Sequence, residues 1–237
     1  VSPGCVNCYA ERQAARFRVT TRPKGAGAST CRPVPGPFAG YVQITNGHPQ
    51  WTGKIDLIES KLLEPLSWRK PCKVFVNSMS DLFYEALPNE AIIEVFAVMT
   101  LAGWHQFQVL TKRASRMLDI VSDPVFWECV ESRQAELSKG HGGTPIGIDK
   151  PPSNIWLGVS VENRDTRSRI DYLRKTPAAV RFISFEPLLE DLGELDLTGI
   201  HWAIWGMESG PNARPGDVQW IRNGMRQATA QGTRNFV

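Results

Sequence analysis

Long apolar runs are missing from this chain. No stretch of about 18 or more apolar residues occurs, so no membrane span is expected. Histidine is scarce, with four in 237 residues and no His-x-His pair. Cysteine is confined to Cys5, Cys8, Cys31, Cys72 and Cys129. An odd count with one tight pair does not make a secreted disulfide framework. In a reducing compartment a close pair more often serves a metal or redox centre. The opening Val1-Ser-Pro-Gly-Cys-Val-Asn-Cys8 has no initiating Met and no apolar signal core. A cytoplasmic chain that begins inside its gene product is therefore expected. Acid is scarce near the start. Residues 1–40 hold Arg12, Arg16, Arg18, Arg22, Lys24 and Arg32 against Glu11 alone, a net of +5 that leaves −2 for the rest of a chain whose total is +3. Such a basic arm suits phosphates or an anionic cofactor, and equally a solvated helix face.

What is present is a core and a repeated plan. Apolar and aromatic residues make up 42% of the chain, which suits a globular protein. Short apolar runs end in polar clusters and lead into helical patterns. These runs are Lys73–Asp81, Phe107–Arg113, Ile155–Asn163, Arg181–Pro187 and Trp202–Gly210, with a further strand expected at Gly53–Glu59 and another at Thr233–Val237. Helices are expected from Pro88 to Leu101, from Arg164 to Lys175 and from Trp220 to Gln231. Alternating strands and helices imply parallel pairing with right-handed crossovers. A barrel or a doubly wound sheet would satisfy this. The polar residues at the strand ends favour the barrel, whose chemistry sits at that rim. The fold class is accordingly read as α/β, a partial (β/α) TIM-type barrel clipped at both termini. It forms a single domain over 1–237, with loop insertions near 20–50 and 139–153.

Cys5-Val-Asn-Cys8 leads straight into a helix start at Tyr9. Two thiolates two residues apart can reach one metal ion or one cluster corner. The same spacing serves zinc sites and dithiol redox pairs. Zinc would need two further ligands, and no second Cys-x-x-Cys exists. Cys31 offers a third ligand from the flexible loop. Cys72 and Cys129 are expected to pack as small apolar side chains.

Several longer motifs follow one another in order: Ser2-Pro-Gly-Cys-Val-Asn-Cys-Tyr-Ala-Glu-Arg12, Val74-Phe-Val-Asn-Ser-Met-Ser-Asp-Leu-Phe83, Gln108-Val-Leu-Thr-Lys-Arg113, Trp156-Leu-Gly-Val-Ser-Val-Glu-Asn163, Phe185-Glu-Pro-Leu-Leu189 and Glu208-Ser-Gly-Pro-Asn-Ala-Arg-Pro215. In these the chain resembles the phage-associated three-cysteine-motif proteins, an uncharacterised family of phage and bacterial genomes. That family is in turn similar to radical S-adenosylmethionine enzymes of the spore photoproduct lyase kind. The resemblance implies a 4Fe–4S cluster on Cys5, Cys8 and a third cysteine upstream of Val1. The cluster would bind S-adenosylmethionine and cleave it reductively to a deoxyadenosyl radical. The chain departs from the radical-enzyme pattern in its cysteine spacing and in having Asn7 before the last cysteine, where an aromatic is usual.

The resemblance assigns Cys5 and Cys8 to the metal and places Tyr9 beside it. Ser78, Asp81, Ser160, Glu162 and Asn163 would hold the cofactor. Lys112, Glu186 and Glu208 would be catalytic, and Arg113 and Arg214 would bind substrate. Each of these side chains could equally belong to a buried ion pair. The implied partners are a nucleic acid, an electron donor and a companion protein encoded nearby. Two other functions fit parts of the pattern. Glu186 and Glu208 could form the carboxylate pair of a cluster-free barrel hydrolase. The basic arm, with Trp51, Trp68 and Trp104, could serve a non-catalytic nucleic-acid-associated protein.

Overall fold

The computed structural model describes residues 2–22, 32–141, 143–148, 150–210 and 212–237, with the backbone alone for 20–22 and 32–33. The chain divides into two compact units, Asn7–Asp56 and the combination of Val1–Val6 with Leu57–Val237. The stretch expected as an insertion near 20–50 belongs to the first of these, here called the small unit.

The small unit begins with α1 (Tyr9–Arg16), followed by the antiparallel pair β1 (Val19–Arg22) and β2 (Arg32–Pro35). A second antiparallel pair is β3 (Val42–Thr45) with β4 (His48–Trp51). Asn46 and Gly47 join that pair with φ of 51° and 80°. Positive φ at both central positions gives the turn whose twist matches a tight hairpin. Helix α1 buries Ala10 and Ala14 and packs on β3 and β4. The stretch expected as a loop insertion near 20–50 thus carries a β-ladder on both sides of residues 23–31, which lie outside the described residues. The strand expected at Gly53–Glu59 does not form. Residues 52–58 are irregular, and Lys54 pairs with Asp56 at 2.9 Å.

The large unit holds two short helices, α2 (Glu59–Leu62) and α3 (Glu64–Ser67), and then alternates strand and helix. The order is β5 (Lys73–Val76), α4 (Asn89–Leu101), β6 (Gln106–Thr111), α5 (Ala114–Val121), α6 (Pro124–His141), β7 (Ile155–Ser160), α7 (Ser168–Lys175), β8 (Val180–Phe185), β9 (Trp202–Trp205), α8 (Val218–Ala230) and β10 (Arg234–Phe236). All six strands are parallel, and their spatial order is β10-β9-β8-β7-β6-β5. The order never reverses, so the sheet lacks the switch point of a doubly wound fold. Neither does it close: β5 and β10 are its two edges, and no closed barrel is seen among the described residues.

Right-handed crossovers stepping always in one direction bring the helices to one face. Along that face run Val76, Phe107, Val109, Leu157, Val159, Ile183, Phe185, Ala203 and Trp205, all buried. Helix α7 packs on β7 and β8, and α8 on β9 and β10. Gly224 of α8 lies against the Trp205 indole, where a Cβ would enter the ring. Trp205 in turn stacks on Phe185 with centroids 4.1 Å apart. Helix α4 is apolar nearly all round because it is covered on several sides, and it packs on α6. The opposite sheet face carries a ring cluster in which Trp202 meets Trp156, Phe182 and Phe236 at 5.8, 5.7 and 6.1 Å.

Helix α6 continues through Gly140 to His141, so the insertion expected from 139 begins later. Its buried stripe is Phe126, Val130, Gln134 and Leu137, spaced by three or four as a packed helix face requires. Cys129 falls off that stripe and is exposed, as is Cys72. Neither is the core thiol expected from sequence. No described helix is long and apolar enough to cross a membrane.

Candidate functional site at the carboxyl edge of the sheet

The strands of the large unit end together, and the polar residues after them share one edge. Asp81 follows β5 as the hub of its turn. Its Oδ1 accepts from the Thr111 hydroxyl at 2.6 Å and from the Phe83 amide at 3.0 Å. Its Oδ2 accepts from the Lys112 amide at 2.9 Å and from Arg113 at 3.1 Å. With four donors satisfied, this carboxylate ties β5 to β6. Arg113 also reaches Glu85 at 3.3 Å and lies over the Tyr84 ring at 5.0 Å. Burial opposes the charge on Arg113, but Asp81 and Glu85 outweigh it and hold the guanidinium more firmly protonated than usual.

Glu162, just beyond β7, is fully buried at 0% exposure. Lys112 Nζ donates to its Oε1 at 2.5 Å, and Arg169 from α7 donates to its Oε2 at 3.0 Å. Burial pushes this carboxyl up, yet Lys112, a hydrogen bond from Ser2 and the charge of Arg169 together hold it below its ordinary value. Two cations on one buried carboxylate meet the requirement that a buried charge be paired and hydrogen-bonded. Arg169 also donates to the Ser160 carbonyl at 2.7 Å and to the Ser2 hydroxyl at 3.4 Å.

The 3-10 turn Pro3–Cys5 is seated on this ion cluster. Lys112 Nζ, besides binding Glu162, lies 3.5 Å from Cys5 Sγ. Arg214 donates to the Pro3 carbonyl at 3.1 Å. A Cβ on Gly4 would stand 2.9 Å from Glu162 Cγ and from Pro187 Cδ, so glycine permits the close approach. Arg214 is itself clamped by Glu208, through its amide at 2.8 Å and its guanidinium at 3.0 and 2.5 Å. The guanidinium's hydrogen bonds to Glu208 and that carboxylate's charge raise the Arg214 pKa against the opposing effect of burial.

Glu186 stands exposed at the end of β8 and accepts from the Ser184 hydroxyl at 3.2 Å. The motif around it is structural as well. The Leu188 amide donates to the Gly206 carbonyl and the Leu189 amide to the Glu162 carbonyl, joining the β8 and β9 loops to β7. A Cβ on Gly206 would collide with the Glu186 carboxylate.

Of the residues singled out by sequence, Cys5, Asp81, Lys112, Arg113, Ser160, Glu162, Asn163, Glu186, Glu208 and Arg214 thus lie on strand ends, on the loops after them, or on the turn seated there. Asn163 starts a 3-10 turn, Arg164–Thr166, as its N-cap. Ser78 is exposed on the loop after β5. Cys8 and Tyr9 belong to the small unit, Cys8 as the N-cap of α1 and Tyr9 as its first residue, 56% exposed. Cys31 lies outside the described residues. Sequence reasoning missed Ser2, Gly4 and Arg169. Arg169 sits seven residues after Glu162, across a strand–turn–helix junction that no simple periodicity links.

Beside the cluster a cavity of about 520 Å³ opens between the starts of α5 and α7. Lys112, Arg113, Arg116 and Arg169 line it together with Glu85, Asp119, Tyr172, Ser2 and Pro3. Its size suits a small ligand or cofactor, and its mixed charges suit one that carries both signs. Among the described residues no three His, Cys, Asp or Glu side chains gather as a metal site. Of the two cysteines expected to bind a cluster, Cys5 belongs to the large unit and Cys8 to the small one.

Fold and site together define an α/β protein with an all-parallel, sequentially ordered sheet whose carboxyl edge bears a buried ion cluster. Residues 1–237 match the family described as protein of unknown function DUF5131, and the chain belongs to that family. No curated protein and no solved structure matches it.

Proposed function

We propose that this protein is an enzyme of the iron–sulfur, radical S-adenosylmethionine type that acts on a nucleic acid, with its reacting centre at the carboxyl edge of the large unit. One observation carries the reading: the turn bearing Cys5 is held on the ionic cluster of Lys112, Glu162 and Arg169. A cysteine needed only for packing would not be lodged among charges where strand ends converge. The sequential parallel sheet is compatible with an arc of a (β/α) barrel, which is the form the radical-type reading calls for. The similarity to phage three-cysteine-motif proteins and, more remotely, to photoproduct lyase adds to it through Cys5, Cys8 and Thr111-Lys112.

When bound, the cluster would supply the electron that cleaves S-adenosylmethionine. The chain's own residues bind and orient. Lys112 fixes the cysteine turn and Glu162 at once. The cavity is lined by Arg113, Arg116 and Arg169 with Glu85 and Asp119, charges of both signs in keeping with a zwitterionic amino-acid moiety. Ser160 holds Arg169 through its carbonyl. Glu186 remains exposed and accessible to substrate. An external electron donor and a reducing, cytoplasmic setting go with this reading.

The cluster-free hydrolase is less well supported. Its two carboxylates need freedom to exchange protons, and Glu208 is engaged by three hydrogen bonds from Arg214.

The test is anaerobic reconstitution of the full-length protein with iron and sulfide. A brown chromophore lost in Cys5→Ala and Cys8→Ala, with deoxyadenosine released from S-adenosylmethionine under reductant, is the expected result. A colourless protein holding stoichiometric zinc would overturn the reading in favour of a structural metal site.

A further inference from the structure

Charge is divided unevenly between the two units. Residues 7–56 hold seven Lys and Arg against Glu11 and Asp56, a net of +5, which leaves −2 for the large unit in a chain of +3. Each unit holds both paired and unpaired cations. In the large unit Arg113, Arg133, Arg169, Arg174 and Arg214 each meet a carboxylate. In the small unit Lys54 pairs with Asp56. Glu11, the acid of α1, is turned to the Trp51 amide at 3.2 Å. Arg12, Arg16 and Arg18 have no acidic partner among the described residues.

These unpaired cations are arranged. Arg12 and Arg16 are four apart on α1, whose other side buries Ala10 and Ala14, so both lie off the packed face. Arg16, Phe17 and Arg18 are successive and exposed, and Phe17 keeps 46% of its surface in water. The β1–β2 ladder then begins, and its register sets Arg22 opposite Arg32 at the end next to residues 23–31. A large aromatic left in water between two guanidiniums, with no partner of opposite charge, has little value to the fold itself. It is the combination that binds a flexible polyanion: guanidiniums for phosphates and a ring for an unstacked base.

We propose that the small unit is a docking surface for single-stranded nucleic acid, with Arg12, Arg16 and Arg18 on successive phosphates and Phe17 stacked on a base. The proposal rests on the reading of the substrate as a nucleic acid, which it deepens by assigning the grip to one unit. An exposed ring needs a base with a free face, which a duplex does not offer along its length.

The experiment measures fluorescence anisotropy of a labelled, mixed-sequence single strand of about 20 nucleotides. Full-length protein is titrated between about 50 and 300 mM KCl. No iron or S-adenosylmethionine is needed, so the outcome is independent of cluster assembly. Replacing Arg12, Arg16 and Arg18 together by Ala should lower the slope of log K against log salt by about 2, since each phosphate contact on a single strand contributes about 0.7. The triple Lys variant should keep most of that slope. Phe17→Ala should weaken binding roughly tenfold with the slope unchanged, as loss of one stacked base does. Circular dichroism matching the parent keeps each comparison one of binding rather than folding. An unchanged salt slope in the triple Ala variant overturns the proposal. So does equal affinity for the duplex of the same sequence, or binding to phosphatidylserine vesicles without binding to the oligonucleotide.

Discussion

Glu162 shows most directly how this site is held. Its carboxylate is wholly buried and meets Lys112 and Arg169 from two elements. Glu162→Gln would leave two cations facing a neutral amide, and breaking a buried pair in this way costs about 3–5 kcal/mol. The sign of the pH dependence follows from the depressed folded pKa. Ionised Glu162 stabilises the fold fully above its ordinary value of 4.5. That contribution is lost as pH falls through the lower folded value. Urea unfolding of the parent should therefore show stability falling from about pH 4.5 downward, and Glu162→Gln should be weaker at pH 7 and flatter in acid. An acid limb equally steep in the variant would show that other carboxylates carry it. Lys112→Met should cost less, since Arg169 still neutralises Glu162.

At the scale of elements, close approaches by glycine connect helix to sheet and turn to site. Gly224 of α8 touches the Trp205 ring, which is sandwiched against Phe185. Gly224→Ala would gain about 1 kcal/mol in helix propensity. It would also force a methyl into a filled space, which costs about 1–3 kcal/mol or more where backbone has to move. The clash should prevail because Trp205 also hydrogen-bonds Asn235 at 2.7 Å and cannot simply turn away. A lowered melting temperature with altered tryptophan fluorescence is the expected outcome, and a raised one would show that α8 can shift. The strands of this sheet and its helices α4, α7 and α8 were legible in the sequence because each is an unbroken local pattern, whereas α5 and α6 were not among the expected helices. The apolar runs starting near Lys73, Phe107, Ile155, Arg181 and Trp202 are strands, and α4, α7 and α8 fall within a few residues of where their patterns place them. Cross-chain relations were not legible. Residues 53–59 contain apolar residues in plausible alternation, yet among the described residues no strand pairs with them. The β1–β2 ladder was hidden by Pro and Gly, which mark turns without saying what flanks them. For the same reason the clustering of Asp81, Lys112 and Glu162 was foreseen from strand ends, but Arg169, Ser2 and Gly4 were not.

Across the whole molecule, buried apolar surface is as unevenly shared as charge. Among the described residues of the small unit only Ala10, Ala14 and Val42 are buried apolar side chains. Burying a valine stabilises by about 1.5–3 kcal/mol, whereas fixing one residue's backbone costs about 1–2 kcal/mol. So small a core cannot offset the ordering of this unit to the degree that the large unit's core does. There the sheet face alone buries Val109, Leu157, Val159, Ile183 and Phe185. Opening free energies should therefore differ within one chain. Hydrogen exchange followed by mass spectrometry should find the amides of β6, β7 and β8 slowest. Those of α1, β3 and β4 should exchange faster by orders of magnitude, through local rather than global opening. A docking surface drawn from the low-stability end of a fold can adjust to a flexible strand, which agrees with the role proposed for it. Bound oligonucleotide should then slow exchange in α1 and leave β7 unchanged. If α1 and β3 in the free protein exchange as slowly as β7, the small unit is stabilised by something other than its own buried side chains.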